Sequence, residues 1–111
     1  KEQKAIRAKA MEKATKKAIA VPMEALEISY EAVLLSDAIG KIGNPHAVSD
    51  AGVAAINANA AAKSAYLNVK INMQNIKDEK FRTETMKRAD ELLAKVDKLA
   101  LTVEKSVSDS L

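Results

Sequence analysis

Hydrophobic and polar positions follow a helical period along almost the whole chain, and the pattern predicts four helical segments. The first, from about Glu2 to Ala20, carries a weak apolar stripe. The second, over 23–39, has a broad apolar face with acidic side chains opposite it. Pro22 separates them, so either a new helix begins there or one long helix bends there. Gly40 is well placed as the C-terminal cap of the second segment.

The third and fourth segments follow two predicted breaks. The stretch 43–45, Gly-Asn-Pro, cannot continue a helix. Ser49 is the predicted N-cap of the third helix, which runs to about Gln74. Asp78 is the predicted N-cap of the fourth helix, over about 79–107, which has the clearest amphipathic pattern in the chain.

The third helix carries an unexpected row of polar side chains. At about 100° per residue, five of them share one stripe about 80° wide. They are Asp50, Asn57, Ser64, Asn68 and Asn72. A second polar arc on the other side is the predicted solvent-facing side, and it holds Asn59, Lys63, Lys70 and Gln74. The stripe is therefore predicted to point inward or at a partner.

A buried stripe of this kind needs hydrogen-bond partners. Each unpaired buried amide costs about 1–3 kcal/mol. Two interpretations remain open from the pattern alone. The stripe is either a hydrogen-bonded seam between helices or subunits, or the polar lining of a ligand cavity.

Composition favours an all-α fold, a bundle of long antiparallel helices. The chain has 111 residues, enough for one domain, with one Phe, two Tyr and no Trp. It has no Cys, which excludes disulfides, thiolate catalysis and zinc–cysteine sites within it and is compatible with a reducing cytoplasm. No uncharged run reaches the length of a transmembrane helix, so no membrane partner is predicted.

Charge and motifs narrow the function classes further. Residues 1–17 carry seven basic and two acidic side chains, a net charge of +5, whereas the rest of the chain has a net charge of −2. Without aromatic or Gly-rich binding features, this stretch favours a solvated helix face over a nucleic-acid site. No phosphate-binding loop, dinucleotide fingerprint, nucleophile elbow or zinc-protease motif occurs. His46, the single histidine, could form a dyad with Ser49 but in no known arrangement, so neither a metal site nor a cofactor is predicted.

Three stretches resemble the cyclodeaminase/cyclohydrolase family, which acts on one-carbon-substituted tetrahydrofolate. They are "VPMEALEISYEAV", "GNPHAVSDAGVAA" and "AYLNVKINMQNIKDEKF". The resemblance implies a larger all-helical fold that forms homodimers, with the folate site at or near the subunit interface. It also implies an enzyme that needs no metal or nucleotide. Because family members are about twice as long, the chain looks like the C-terminal half of such a domain.

The resemblance also gives the polar stripe a role. Asp50 is the predicted catalytic residue, since a carboxylate stabilises a cationic methenyl carbon and transfers protons. The predicted substrate-binding residues are Asn44, Ser49, Asn57, Ser64, Asn68 and Asn72. The reaction is either the hydrolysis of 5,10-methenyltetrahydrofolate or the closure of 5-formiminotetrahydrofolate with loss of ammonia. The alternative is a non-catalytic helical bundle that serves interaction or assembly.

Overall fold

Three long helices make up nearly the whole chain in the computed structural model, which describes residues 1–111. They are α1 (Glu2–Gly40), α2 (Pro45–Met73) and α3 (Glu79–Ser110). Short connections make successive helices antiparallel, and all three contact one another in a rod of 65 × 19 × 16 Å. The predicted all-α fold is confirmed. None of the helices combines the length and hydrophobicity that crossing a bilayer requires.

The first two predicted segments form a single helix, because α1 runs through Pro22 without ending. Proline removes one backbone N–H and crowds the preceding turn, which weakens a helix locally. The core compensates, since Ile19 and Leu26, one on each side of the proline, are fully buried in the same seam. Of the two alternatives that the sequence left open, the single helix is confirmed.

The first connection turns at a different glycine from the one predicted. Gly40 is the last helical residue, and Lys41 after it keeps a right-handed conformation with φ −81°. The left-handed position is Gly43, with φ 86°. Glycine adopts such a φ without the steric cost that a Cβ atom brings.

The start of α2 also differs from the prediction, because the N-cap is Asn44 rather than Ser49. The Oδ1 atom of Asn44 accepts a hydrogen bond from the backbone N–H of His46 at 3.1 Å. Pro45 occupies the first helical position, where its fixed φ is favourable and its missing N–H costs nothing. The prediction that Ser49 caps the helix was therefore wrong by five residues.

The core is built from small side chains on α2 and larger ones on α1 and α3. The buried alanines of α2 are Ala51, Ala55, Ala58, Ala62 and Ala65. Their short side chains let α1 and α3 approach closely. Gly52 of α2 is also buried, and a Cβ atom added there would lie 2.9 Å from Cγ1 of Val107.

The second connection is held by α1 as well as by its own cap. Asp78 caps α3 as predicted, and its Oδ1 accepts from the N–H of Phe81 at 3.1 Å. Oε1 of Glu12 accepts from the backbone N–H groups of Lys77 and Asp78, at 2.5 and 3.0 Å. Lys16 adds an ion pair to Asp78 at 2.8 Å. This cluster, here called the α1 latch, ties the first half of α1 to the connection between α2 and α3.

Candidate functional site

A groove of about 400 Å³ lies between the end of α1 and the start of α2, with Asp50 on its rim. Its walls are otherwise uncharged. They comprise Ala32, Leu35, Ser36, Ile39, Ala47, Ala51 and Ala54. Asp50 is the single charged side chain of this groove, so its exposed carboxylate is the group there that can attract a bound cation.

The second polar side chain of this groove, Ser36, is buried and offers only an acceptor. Its hydroxyl donates to the backbone carbonyl of Ala32 at 2.8 Å, which uses its single O–H. The side chains of Asp50 and Ser36 therefore present acceptors and negative charge. That combination suits a flat cationic ligand or one rich in N–H donors.

The polar stripe of α2 does not point into the bundle. Asp50, Asn57, Ser64 and Asn68 are exposed and Asn72 is half-buried, so the inward half of that prediction was wrong. The physical reason is that the alanine face of α2, on the other side of the helix, is the one that packs on α1 and α3. Orientation toward a partner stays a prediction.

Two residues of the stripe are bonded to their own helix. The Ser64 hydroxyl donates to the carbonyl of Ala60, and the Asn72 amide donates to the carbonyl of Asn68, both at 2.9 Å. The stripe is also long, since 18 residues from Asp50 to Asn68 correspond to about 27 Å along the helix. Its members therefore do not converge on one cavity, and Asp50 is the only predicted site residue that lines this groove.

The remaining predicted site residues lie elsewhere. Asn44 is occupied as the N-cap of α2. Ser49 borders a separate groove of about 360 Å³, between α2 and the last turns of α3, beside Val107 and Ser108. The structure thus does not bring Ser49 and Asp50 to the same groove, although they are adjacent in sequence.

Asn59 is the buried amide that the sequence pattern missed. It was assigned to the solvent-facing arc with Lys63, Lys70 and Gln74, which are exposed, whereas Asn59 is only 6% exposed. Its Nδ2 donates to Oδ1 of Asp97 on α3 at 3.0 Å. The available signal was Asp97 itself, a carboxylate next to the core position Val96 in an otherwise regular apolar pattern.

Electrostatics around Asn59 and at the α1 latch are dominated by direct hydrogen bonds. The amide of Asn59, and then the nearby Lys63 ammonium, hold the pKa of Asp97 below its usual 3.8.

No group of three or more His, Cys, Asp or Glu side chains is arranged to hold a metal ion. His46 is exposed in the first turn of α2.

Fold and groove together define an all-α domain with a carboxylate on the rim of an apolar groove between two helices. The family model of formiminotransferase-cyclodeaminase matches residues 1–91. A methenyltetrahydrofolate cyclohydrolase of Methylorubrum extorquens is 37% identical over 98 residues, which cover 88% of this chain and 47% of that protein. The chain belongs to the formiminotransferase-cyclodeaminase family and spans about half the length of this curated relative.

Proposed function

We propose that the chain is the C-terminal half of a folate-dependent one-carbon enzyme, with methenyltetrahydrofolate cyclohydrolase as its activity. The observation that carries the proposal is the 37% identity to a cyclohydrolase over 88% of the chain. The groove supports it, because its acceptors match a substrate that is cationic at the reacting carbon and carries ring N–H donors. We further propose a cytoplasmic homodimer that uses a tetrahydrofolate derivative and no separate cofactor.

Asp50 is the proposed catalytic residue. In the hydrolysis, water adds to the cationic methenyl carbon, and a base takes one proton from that water. The bond from this carbon to N5 then breaks, N5 receives a proton, and the formyl group stays on N10. A carboxylate beside the carbon stabilises the cation and can take the water's proton.

The amide stripe would serve the same substrate unequally. Asn57 lies two turns from Asp50, about 10 Å along the helix, and is the nearest amide of the stripe. Asn68 and Asn72 are too far along α2 to contact the same ring. In this proposal they contact remote parts of the substrate or the second subunit. Asn44 and Ser49 would bind the substrate near the start of α2.

A second candidate is the cyclodeaminase reaction, which is supported by the match of residues 1–91 to the formiminotransferase-cyclodeaminase family. There N10 attacks the formimino carbon of 5-formiminotetrahydrofolate, the ring closes, and the nitrogen of the formimino group leaves as ammonia after protonation. The same carboxylate would stabilise the cation and transfer the proton. The two reactions therefore differ in substrate rather than in the residues of the groove.

The test measures the rate of methenyltetrahydrofolate hydrolysis by its absorbance, with the full encoded polypeptide, and compares it with the spontaneous rate. We expect acceleration that is lost in Asp50→Asn and kept in Asp109→Asn, a matched change on an exposed carboxylate of α3. Acceleration that survives Asp50→Asn would keep the enzyme and remove Asp50 from the mechanism. No turnover of either folate substrate would overturn the enzyme and favour the non-catalytic bundle.

A further inference from the structure

A groove of about 300 Å³, here called the lysine groove, lies between α1 and α3. It is lined by Tyr30, Leu34, Lys95, Lys98, Leu99 and Thr102. At about 100° per residue, the fully buried Val33 lies between this groove and the Asp50 groove on the surface of α1. The core therefore separates the two grooves, and a small ligand that fills one does not reach the other.

Both charged side chains of the lysine groove are cations. Lys95 and Lys98 lie one turn apart on α3, both are exposed, and neither makes an ion pair. Like charges one turn apart on a helix repel each other. An anion bound between the two ammonium groups would relieve this repulsion.

Carboxylates border the lysine groove on both helices, but none lines it. On α1, Glu27 lies one turn before the groove and is 3.6 Å from Arg88. Asp37 lies one turn after it and is 3.0 Å from Lys41. On α3, Glu91 lies one turn before the first lysine and makes no ion pair. The groove therefore has unpaired positive charge, and Glu91 is the neighbouring group that opposes the binding of an anion.

The wall of the lysine groove suits a flat apolar body. Leu34 is 45% exposed, and Leu99 is half-buried beside it. Nζ of Lys95 lies 5.8 Å from the centroid of the Tyr30 ring, an attractive contact that holds this ammonium over the aromatic wall. The phenol hydroxyl of Tyr30 makes no hydrogen bond within the chain, so it is free to donate one to a ligand.

We propose that the lysine groove binds a small organic anion that has a flat apolar body and one carboxylate. The carboxylate accepts hydrogen bonds from the ammonium groups of Lys95 and Lys98. The apolar body packs on Leu34 and Leu99, which removes apolar surface from water. The groove of Asp50 carries the opposite charge, so the two grooves select different ligands. This inference does not rest on the proposed function.

Titration calorimetry of the full encoded polypeptide at low salt tests the binding with sodium 2-naphthoate. We expect saturable binding of 2-naphthoate. Acetate has the charge without the ring, and 2-naphthalenemethanol has the ring without the charge, so neither should give a saturable heat at the same concentrations. No saturable binding of 2-naphthoate, or equal binding of the neutral alcohol, would overturn the proposal.

Charge variants test whether the two lysines hold the carboxylate. Lys95→Gln combined with Lys98→Gln should weaken 2-naphthoate binding about fivefold, because exposed ion pairs are weak individually. The matched control combines Lys80→Gln with Lys87→Gln, two exposed and unpaired lysines of the same helix, and should leave the affinity unchanged. Glu91→Gln should tighten binding about twofold, since it removes the opposing charge. Equal weakening in both double variants would mean a general effect of net charge and contradict the site.

Methyl NMR of the full encoded polypeptide locates the bound ring, because an aromatic ring shifts the resonances of the methyl groups that it contacts. We expect 2-naphthoate to shift the methyl signals of Leu34 and Leu99 and to leave those of Leu35, in the Asp50 groove, in place. Shifts at Leu35 alone would assign the anion to the Asp50 groove and refute the inference. Both readouts measure binding rather than turnover, so a protein without folate activity can still bind 2-naphthoate as inferred.

Discussion

The side-chain amide of Asn59 on α2 donates a hydrogen bond to Oδ1 of Asp97 on α3 at 3.0 Å, while its own Oδ1 is buried without a partner. Lys63 lies 3.5 Å from the same carboxylate and orients it from the solvent side. Of the two polar groups of this buried amide, only the N–H donor has a hydrogen-bond partner. The bond therefore fixes how α2 is aligned along α3, and it adds little to the free energy of unfolding.

Two substitutions at Asn59 should separate the effect of a buried charge on stability from the effect of losing the hydrogen bond. Asn59→Asp places a second carboxylate against Asp97 in a buried position, and we expect a loss of about 3 kcal/mol at neutral pH. The loss should shrink in acid as the new carboxyl group takes up a proton. Asn59→Leu removes the unsatisfied oxygen together with the hydrogen bond and should change stability by less than about 1 kcal/mol.

Urea denaturation at several pH values measures both variants. An Asn59→Asp chain as stable as the parent at neutral pH would mean that water reaches this position, contrary to its burial. Lys63→Ala serves as the control, because the ammonium is exposed and exposed ion pairs contribute about 0–1 kcal/mol.

Gly52 on α2 faces Val107 on α3. In Gly52→Ala the new Cβ atom would lie 2.9 Å from Cγ1 of Val107, so one helix must shift. Overpacking costs about 1–3 kcal/mol and the higher helix propensity of alanine returns up to about 1 kcal/mol, which leaves a net loss on the order of 1 kcal/mol. Thermal unfolding measures this loss.

A double variant distinguishes the clash from a general effect of alanine at this position. Val107→Ala removes the two methyl groups that the new Cβ atom meets at 2.9 and 3.5 Å, and it leaves the Cβ atom of residue 107 at 3.3 Å. Gly52→Ala should therefore cost less stability when it is added to Val107→Ala than in the parent. If the two changes are simply additive, the close approach is not the cause.

The α1 latch predicts a specific loss of stability in acid. Backbone N–H groups of Lys77 and Asp78 hold the pKa of Glu12 below its usual 4.5, and the ion pair with Lys16 lowers the pKa of Asp78 below its usual 3.8. Carboxylates with lowered pKa values stabilise the folded chain fully above those usual values. Their contribution is lost as the pH falls through the lower values of the folded state.

Glu12→Gln tests this pH dependence. The variant keeps an acceptor oxygen but cannot ionise, so it should melt below the parent at pH 7 and converge with it in strong acid. Glu91→Gln, an exposed carboxylate without an ion pair, should melt with the parent at every pH. A constant gap between Glu12→Gln and the parent across the titration would show that the charge at Glu12 is not involved.

The helical character of the chain could be predicted from the sequence, but the start of α2 and the orientation of α2 could not. The pattern of α3 is clear because its leucines and valines, apart from the exposed Leu101, repeat on one side. In α2, alanines occur all around the helix, and Ala54 and Ala61 are exposed while Ala55 and Ala62 are buried. A methyl group is compatible with either environment, so periodicity alone could not select the buried face.

The same limit applies to the candidate site. The polar stripe of α2 was visible in the sequence, and so was the suitability of Asp50 as a catalytic carboxylate. The groove beside it was not, since it depends on Leu35 and Ile39, which approach from α1 across a turn. Pairings between distant segments, such as the α1 latch, have no periodic signal at all.

The two polar residues at the start of α2 offer a direct test of the corrected helix boundary. Asn44 caps the helix through His46, so Asn44→Ala should cost about 1 kcal/mol of stability. Ser49 lies inside the first turns and makes no capping bond, so Ser49→Ala should change stability by less than about 0.5 kcal/mol. Chemical denaturation of both variants would decide between the two boundaries. A larger loss for Ser49→Ala than for Asn44→Ala would restore Ser49 as the cap, and it would move the start of the helix that carries Asp50.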